Sequence, residues 1–103
     1  DPESVDSWIE KARANYYLAT TLQGRSRDQQ LAEGISAIEA GLKINPSTGA
    51  LFALRAVIRH EQSKTEKDAS LAAGLRKESQ ESWTKALSIN PLLKNDYGEL
   101  LEP

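Results

Sequence analysis

Histidine occurs once in this chain, at His60, within Arg59-His60-Glu61-Gln62. A zinc-protease helix pairs two histidines on one face with a glutamate between them, and the second histidine is missing here. Cysteine is absent, which removes disulfides and thiolate ligands. The carboxylates Glu33, Glu39, Glu61 and Glu66 stand at helical spacing from lysines and arginines, as solvated helix faces do. Serine, histidine and aspartate are all present, but no glycine-flanked serine elbow frames a nucleophile. The glycines are scattered singly, so no loop cradles a phosphate. These residue types and spacings specify no catalytic residue, no metal and no cofactor. The expected class is not an enzyme.

What the residues do carry is a period. Asn45-Pro46 and Asn90-Pro91 lie 45 residues apart, and Asp1-Pro2 is a weaker copy 44 residues before Pro46. An aromatic follows each proline by six residues: Trp8, Phe52 and Tyr97. Ala12 and Ala56 follow the first two aromatics by four, and Gly41 and Ala86 precede the later prolines by five. Recurrence at a fixed spacing indicates stacked units, none of which buries its apolar face alone.

Each unit reads as a helical hairpin. No alternating run of β-branched residues suggests a strand, and the prolines stay out of the candidate helix interiors. The first helix is expected to start near Pro2 and carry Val5, Trp8, Ile9, Ala12, Tyr16, Ala19 and Leu22 at helical spacing. Gly24 is its candidate C-cap, and 25–28 form the loop. Ser26 and Gln29 have the spacing of a capping box for the second helix, with Leu31, Ile35, Ile38 and Leu42 as its apolar stripe. Glycine in a helix interior costs about 1 kcal/mol relative to alanine, so Gly34 and Gly41 imply close approach by another helix. A residue preceding proline is pushed out of helical geometry, which ends helix two at Ile44 and helix four at Ile89.

Ser47 or Thr48 can cap helix three. From Ala50 to Ile58 this helix is apolar on every side except at Arg55, the pattern of a helix buried on several faces. A turn is expected within 62–69. Helix four presents Leu71, Leu75, Trp83 and Leu87 near one face. A short last segment, Leu92 to Leu101, places Tyr97 in register with Trp8 and Phe52. The units are therefore 2–45, 46–90 and a partial third at 91–103.

Composition narrows the class of partner. Charged residues make up 27% of the 103 residues but balance to a net −2, unlike the basic surface of a nucleic-acid binder. No apolar run approaches the ~20 residues that span a membrane, and no signal peptide is visible. The chain lacks methionine and starts Asp1-Pro2, as expected of a piece of a longer protein. A cytoplasmic location is the expectation.

With these residues in place the chain resembles the tetratricopeptide repeat family. The Asn-Pro turns, the aromatics Trp8 and Phe52, and the small residues Ala12 and Ala56 match the family's first helix, called A. Gly34 and Ser79, the bulky Ile38 and Trp83, and the small Gly41 and Ala86 match its second, called B. Two departures stand out. The units are longer than the family's, and Lys11 and Arg55 occupy positions where an apolar residue is common. The resemblance implies an all-α fold of antiparallel hairpins stacked as a short right-handed solenoid. It also implies a concave groove lined by the A helices, near Asp6, Ile9, Arg13 and Tyr16 or Tyr17 in the first unit and Ala50, Ala53, Val57 and His60 in the second.

Tyr16 and Tyr17 cannot share a face, so one should be exposed. Ala50 and Ala53 offer no charge or amide, which argues against a clamp for a chaperone's C-terminal carboxylate. The expected ligand is instead an extended or helical peptide held by apolar contacts, with Arg13 as an anchor. Lys85–Leu101 further resembles the end of helical-repeat regions attached to bacterial protein kinases of the eukaryotic type, although no kinase signature lies in the chain. The function these features imply is protein or peptide binding by a scaffold. The alternative is a structural part of a longer array, or a homodimer through exposed stack ends.

Overall fold

The structure is a computed structural model that describes residues 4–102. Among these it is all-helical: α1 (Val5–Ala19), α2 (Gly24–Ile44), α3 (Gly49–Thr65), α4 (Ala69–Ile89) and α5 (Leu93–Leu101). The start of the first helix at Pro2 and the last residue of the third unit lie outside the described residues. Within them α1 begins at Val5, with the Ser4 hydroxyl accepting from the Asp6 N–H.

The period in the sequence is a period in the backbone. α2 and α4 have 21 residues each and end at equivalent positions. Asn45 (φ −142°, ψ 98°) and Asn90 (φ −145°, ψ 98°) leave their helices in the same conformation. Each asparagine donates its N–H to the carbonyl four residues back, Gly41 or Ala86. Each side-chain oxygen accepts an N–H two residues on, from Ser47 or Leu92, at 3.0 Å. Proline cannot continue the ladder and asparagine closes the turn over it, so both helices stop where the sequence requires.

Two boundaries and one cap differ from expectation. Gly24 is not the C-cap of α1, which ends at Ala19 with Thr20 as cap. It heads α2 with φ +61°, the one positive φ among the described residues, and glycine is the residue that adopts this conformation without strain. Residues 25–28 are accordingly helical, and the Ser26–Gln29 capping box does not form. Thr48 sits at the N-cap position of α3, but its hydroxyl donates back to the Asn45 carbonyl instead of capping. The turn expected in 62–69 is Glu66 to Asp68, where Asp68 caps α4 by accepting from the Leu71 N–H at 3.0 Å.

Interhelix contacts fix the directions. Across α1 and α2, Asn15 meets Gln30, and a Cβ on Gly41 would meet Trp8. Across α3 and α4, the Ser79 hydroxyl donates to the Ala56 carbonyl and Arg59 meets Glu78. Across α2 and α3, Gly41 faces Leu51, Gly34 faces Ile58, and Arg27 faces Thr65. Every neighbouring pair is therefore antiparallel, and α1 runs parallel to α3. Close approach at Gly34 and Gly41 is real: added methyls would lie 2.7 Å from Ile58 Cδ1 and 2.6 Å from Leu51 Cδ1.

α3 is the hub. It packs against α1, α2, α4 and α5, whereas no Cα of α2 comes within 8 Å of α4 among the described residues. Leu51, Leu54, Val57 and Ile58 are fully buried, each contributing about 1.5–3 kcal/mol of transfer free energy. α5 is tied down by Leu93 and Tyr97 in the core and by Trp83 Nε1 donating to Glu102 Oε2 at 2.6 Å.

Candidate interaction site

The face formed by α1, α3 and α5 is where the sequence places a groove. Gly49 faces Leu93 of α5, and Ala53, Val57 and His60 continue from Gly49 at helical spacing along the same side of α3. α1 packs on α3 from one flank and α5 from the other. Arg13 of α1 and Tyr97 of α5 interact across this side, and the hydrogen bond to Tyr97 is the main cause that raises the Arg13 pKa above its ordinary value.

The trough is consequently filled. Ala53 is 0% and Val57 1% exposed, and they share one core cluster with Tyr16, Leu93 and Tyr97. Tyr16, Ala53 and Val57 are thus core residues in this structure and offer no surface to a ligand. Burial is also the main reason the Tyr16 hydroxyl holds its proton beyond the usual phenol pKa. Small residues on α3 let α1 and α5 close in, and the sequence pattern of a groove floor cannot be told from that of a packed seam.

The remaining positions lie around the rim. Asp6 is exposed, Ile9, Arg13, Ala50 and His60 are half-buried, and Tyr17 is 58% exposed. Tyr17 and Tyr16 split between surface and core as adjacency demands, their ring centroids 5.6 Å apart. Arg13 pairs with Glu10 at 2.7 Å, and its side chain stays 36% exposed. No cluster of His, Asp and Glu among the described residues could hold a metal, and none of the helices described is long and apolar enough to cross a membrane.

The open side of α3 is the opposite one. Where α2 and α4 do not meet, Phe52, Arg55, Arg59 and Gln62 follow at i, i+3, i+7 and i+10, a single helical stripe, and Glu66 caps its end in the turn. A hollow of about 610 Å³ lies over the second half of this stripe, walled by Asp28 of α2 and by Leu71, Gly74, Leu75 and Glu78 of α4. A second hollow of about 230 Å³ continues it past Glu78 to Phe52, Arg55 and Lys85. Together they form a valley with α3 as its floor.

The valley is built as a surface. Leu71 is 60% exposed, so the apolar face expected of α4 is core only in its second half, at Trp83 and Leu87. A Cβ at Gly74 would meet nothing within 4 Å; this glycine forgoes about 1 kcal/mol of helix stability with no internal neighbour to benefit. Arg59 Nε is buried and sits 3.3 Å from Glu78 Oε1 without hydrogen-bond alignment, while its Nη1 donates to Gln62 Oε1 at 2.9 Å. Arg55 stacks over the Phe52 ring, 5.5 Å from its centroid.

Sequence reasoning did not single out the valley. Two signals point to it in retrospect: a polar stripe on a helix expected to be buried on several faces, and a helix-interior glycine with no partner. Comparison of the chain with family models, with curated proteins and with solved structures finds no match.

Proposed function

We propose that this chain is a protein-binding scaffold of tetratricopeptide type, a short right-handed solenoid of two hairpins completed by α5. It holds a protein or peptide segment and acts without catalysis or cofactor. The observation that carries this reading is the open stripe of α3. The central helix of the stack is covered on every side but one, and along that side it presents Phe52, Arg55, Arg59 and Gln62 beneath walls that include the exposed Leu71. A solvated valley that keeps leucine on its wall and glycine in its rim has the make-up of a recognition surface, an apolar body with a few placed polar groups.

The partner surface is then the valley of α2, α3 and α4, with the rim residues Asp6, Ile9, Arg13, Tyr17 and His60 as a secondary face. Selecting a displayed peptide library against the purified chain tests this. Bound peptides are expected to shift amide resonances of 52–66 and 70–85. Peptides that shift only α1 and α5 would place the site on the other face and end the valley reading.

Self-association is the second reading. Tyr17 and Leu18 lie side by side on the outer surface of α1, both well exposed, an apolar pair that a second copy would cover.

A further inference from the structure

The loop-proximal half of the valley carries three carboxylates, Asp28, Glu66 and Glu78, against one guanidinium, Arg59. Arg59 is committed to Glu78 and Gln62. Glu66 accepts only a backbone N–H, that of Asp68 at 3.3 Å, and Asp28 meets Arg27 at 3.4 Å while that guanidinium donates to the Glu61 carbonyl at 2.8 Å. Carboxylates outnumber cations among the side chains lining this end, and Leu71 and Leu75 stand beside them.

We infer that the valley seats an amphipathic basic α-helix of a partner protein. Its lysines or arginines meet Asp28 and Glu66, and its aliphatic side chains lie on Leu71, Leu75 and the bare backbone at Gly74. The inference rests on the valley being the partner surface and adds the chemistry of the occupant. Three features select a helix with basic residues. α4 walls the groove over α3 along its length, and Asp28 of α2 closes it at the loop-proximal end, a seat into which a further helix packs. From Ser70 to Lys85 the α4 wall is about 22 Å long, which about 15 helical residues would span. Gly74 removes the side chain that would hold such a helix away, and the unbalanced carboxylates favour a cationic face.

The test uses labelled peptides of about 15 residues, the span of the α4 wall. One carries leucines at i, i+3, i+4 and i+7 with lysines elsewhere; a second replaces lysine by glutamate; a third scrambles the first so that no apolar stripe forms. Anisotropy is read at about 150 mM salt, where exposed charges beyond ~8 Å are screened. The patterned lysine peptide is expected to bind. Gly74→Leu, which fills the seat, and the pair Asp28→Lys with Glu66→Lys are each expected to weaken it by about tenfold or more. Glu99→Lys on the exposed surface of α5 should leave it unchanged, and melting curves confirm that each variant folds.

Equal binding of the scrambled peptide, or indifference to Asp28→Lys with Glu66→Lys, overturns the basic-helix occupant. If the glutamate peptide binds and Gly74→Leu blocks it, the valley stands as the partner surface and only the charge assignment falls. If Gly74→Leu affects no peptide, the valley falls as well.

Discussion

Glycine has opposite meanings at two positions of this molecule. At Gly41 an alanine methyl would lie 2.6 Å from Leu51 Cδ1 and 3.1 Å from Trp8 Cβ. Leu51 is fully buried, and the Trp8 Cβ moves only with its backbone. Gly41→Ala should therefore lose about 1–3 kcal/mol to overpacking, more than the ~1 kcal/mol that helix propensity returns. At Gly74 nothing opposes the methyl, and Gly74→Ala should gain about 0.5–1 kcal/mol. Urea unfolding of both variants checks the pair: shifts of the same sign would contradict the close approach of α1 and α3 to Gly41.

Glu102 offers a pH-dependent handle. Its hydrogen bond from Trp83, with Lys94 3.4 Å away, holds its pKa below the ordinary carboxylate value. A folded pKa below the unfolded one means that the folded state binds the proton less readily. The stabilisation is present above the ordinary pKa and is lost as pH falls through the depressed one. In a Trp8→Phe background, Trp83 fluorescence should step in that acid window, and Glu102→Gln should abolish the step. A step that survives Glu102→Gln would assign it to another carboxylate.

Among the elements, α3 depends on its clamps. Arg27 of α2 reaches across to donate to the Glu61 carbonyl at 2.8 Å and to Thr65 Oγ1 at 3.2 Å, with the Glu61 carboxylate at 3.3 Å. Its side chain is 14% exposed, so removal leaves partly buried acceptors without a donor. Arg27→Met should cost about 1–3 kcal/mol and loosen the last turns of α3 first. Amide hydrogen exchange is the measurement: protection of 60–65 should fall while that of 50–58 is retained. Uniform loss along α3 would mean the helix opens as one unit.

Helix ends were legible where the signal is covalent or local. Proline at 46 and 91 forbids continuation, so Ile44 and Ile89 end their helices as read. Ser26 and Gln29 have the spacing of a capping box, yet Gln23 is the N-cap and the left-handed Gly24 begins the helix three residues before a Ser26 cap would. That places Arg27 inside α2, pointed at α3.

At the scale of the whole molecule, the exposed large apolar side chains are Tyr17 and Leu18 on α1, Leu71 in the valley, Ile44 and Leu92 near the Asn-Pro turns, and Leu100 on α5. They are spread over α1, α2, α4 and the α5 end of the chain, so no single helix offers a long exposed apolar face. The chain is expected to remain monomeric by light scattering up to high micromolar concentration. A concentration-dependent dimer would favour the self-association reading, and Tyr17→Ser would be expected to abolish it.

The helical class, the hairpin period, the helix stops at Asn-Pro and the centrality of α3 were all determined by the sequence, because periodicity, proline chemistry and small residues at fixed spacing act locally and repeat. The faces that stay open were decided only by the tertiary structure. Ala53 and Val57 have the residue types of a groove floor, but whether such a floor is exposed depends on how closely α1 and α5 flank it, and here they bury it. The stripe from Phe52 to Gln62 is uncovered because α2 and α4 do not meet over it, a matter of packing between helices distant in sequence, which no local pattern encodes.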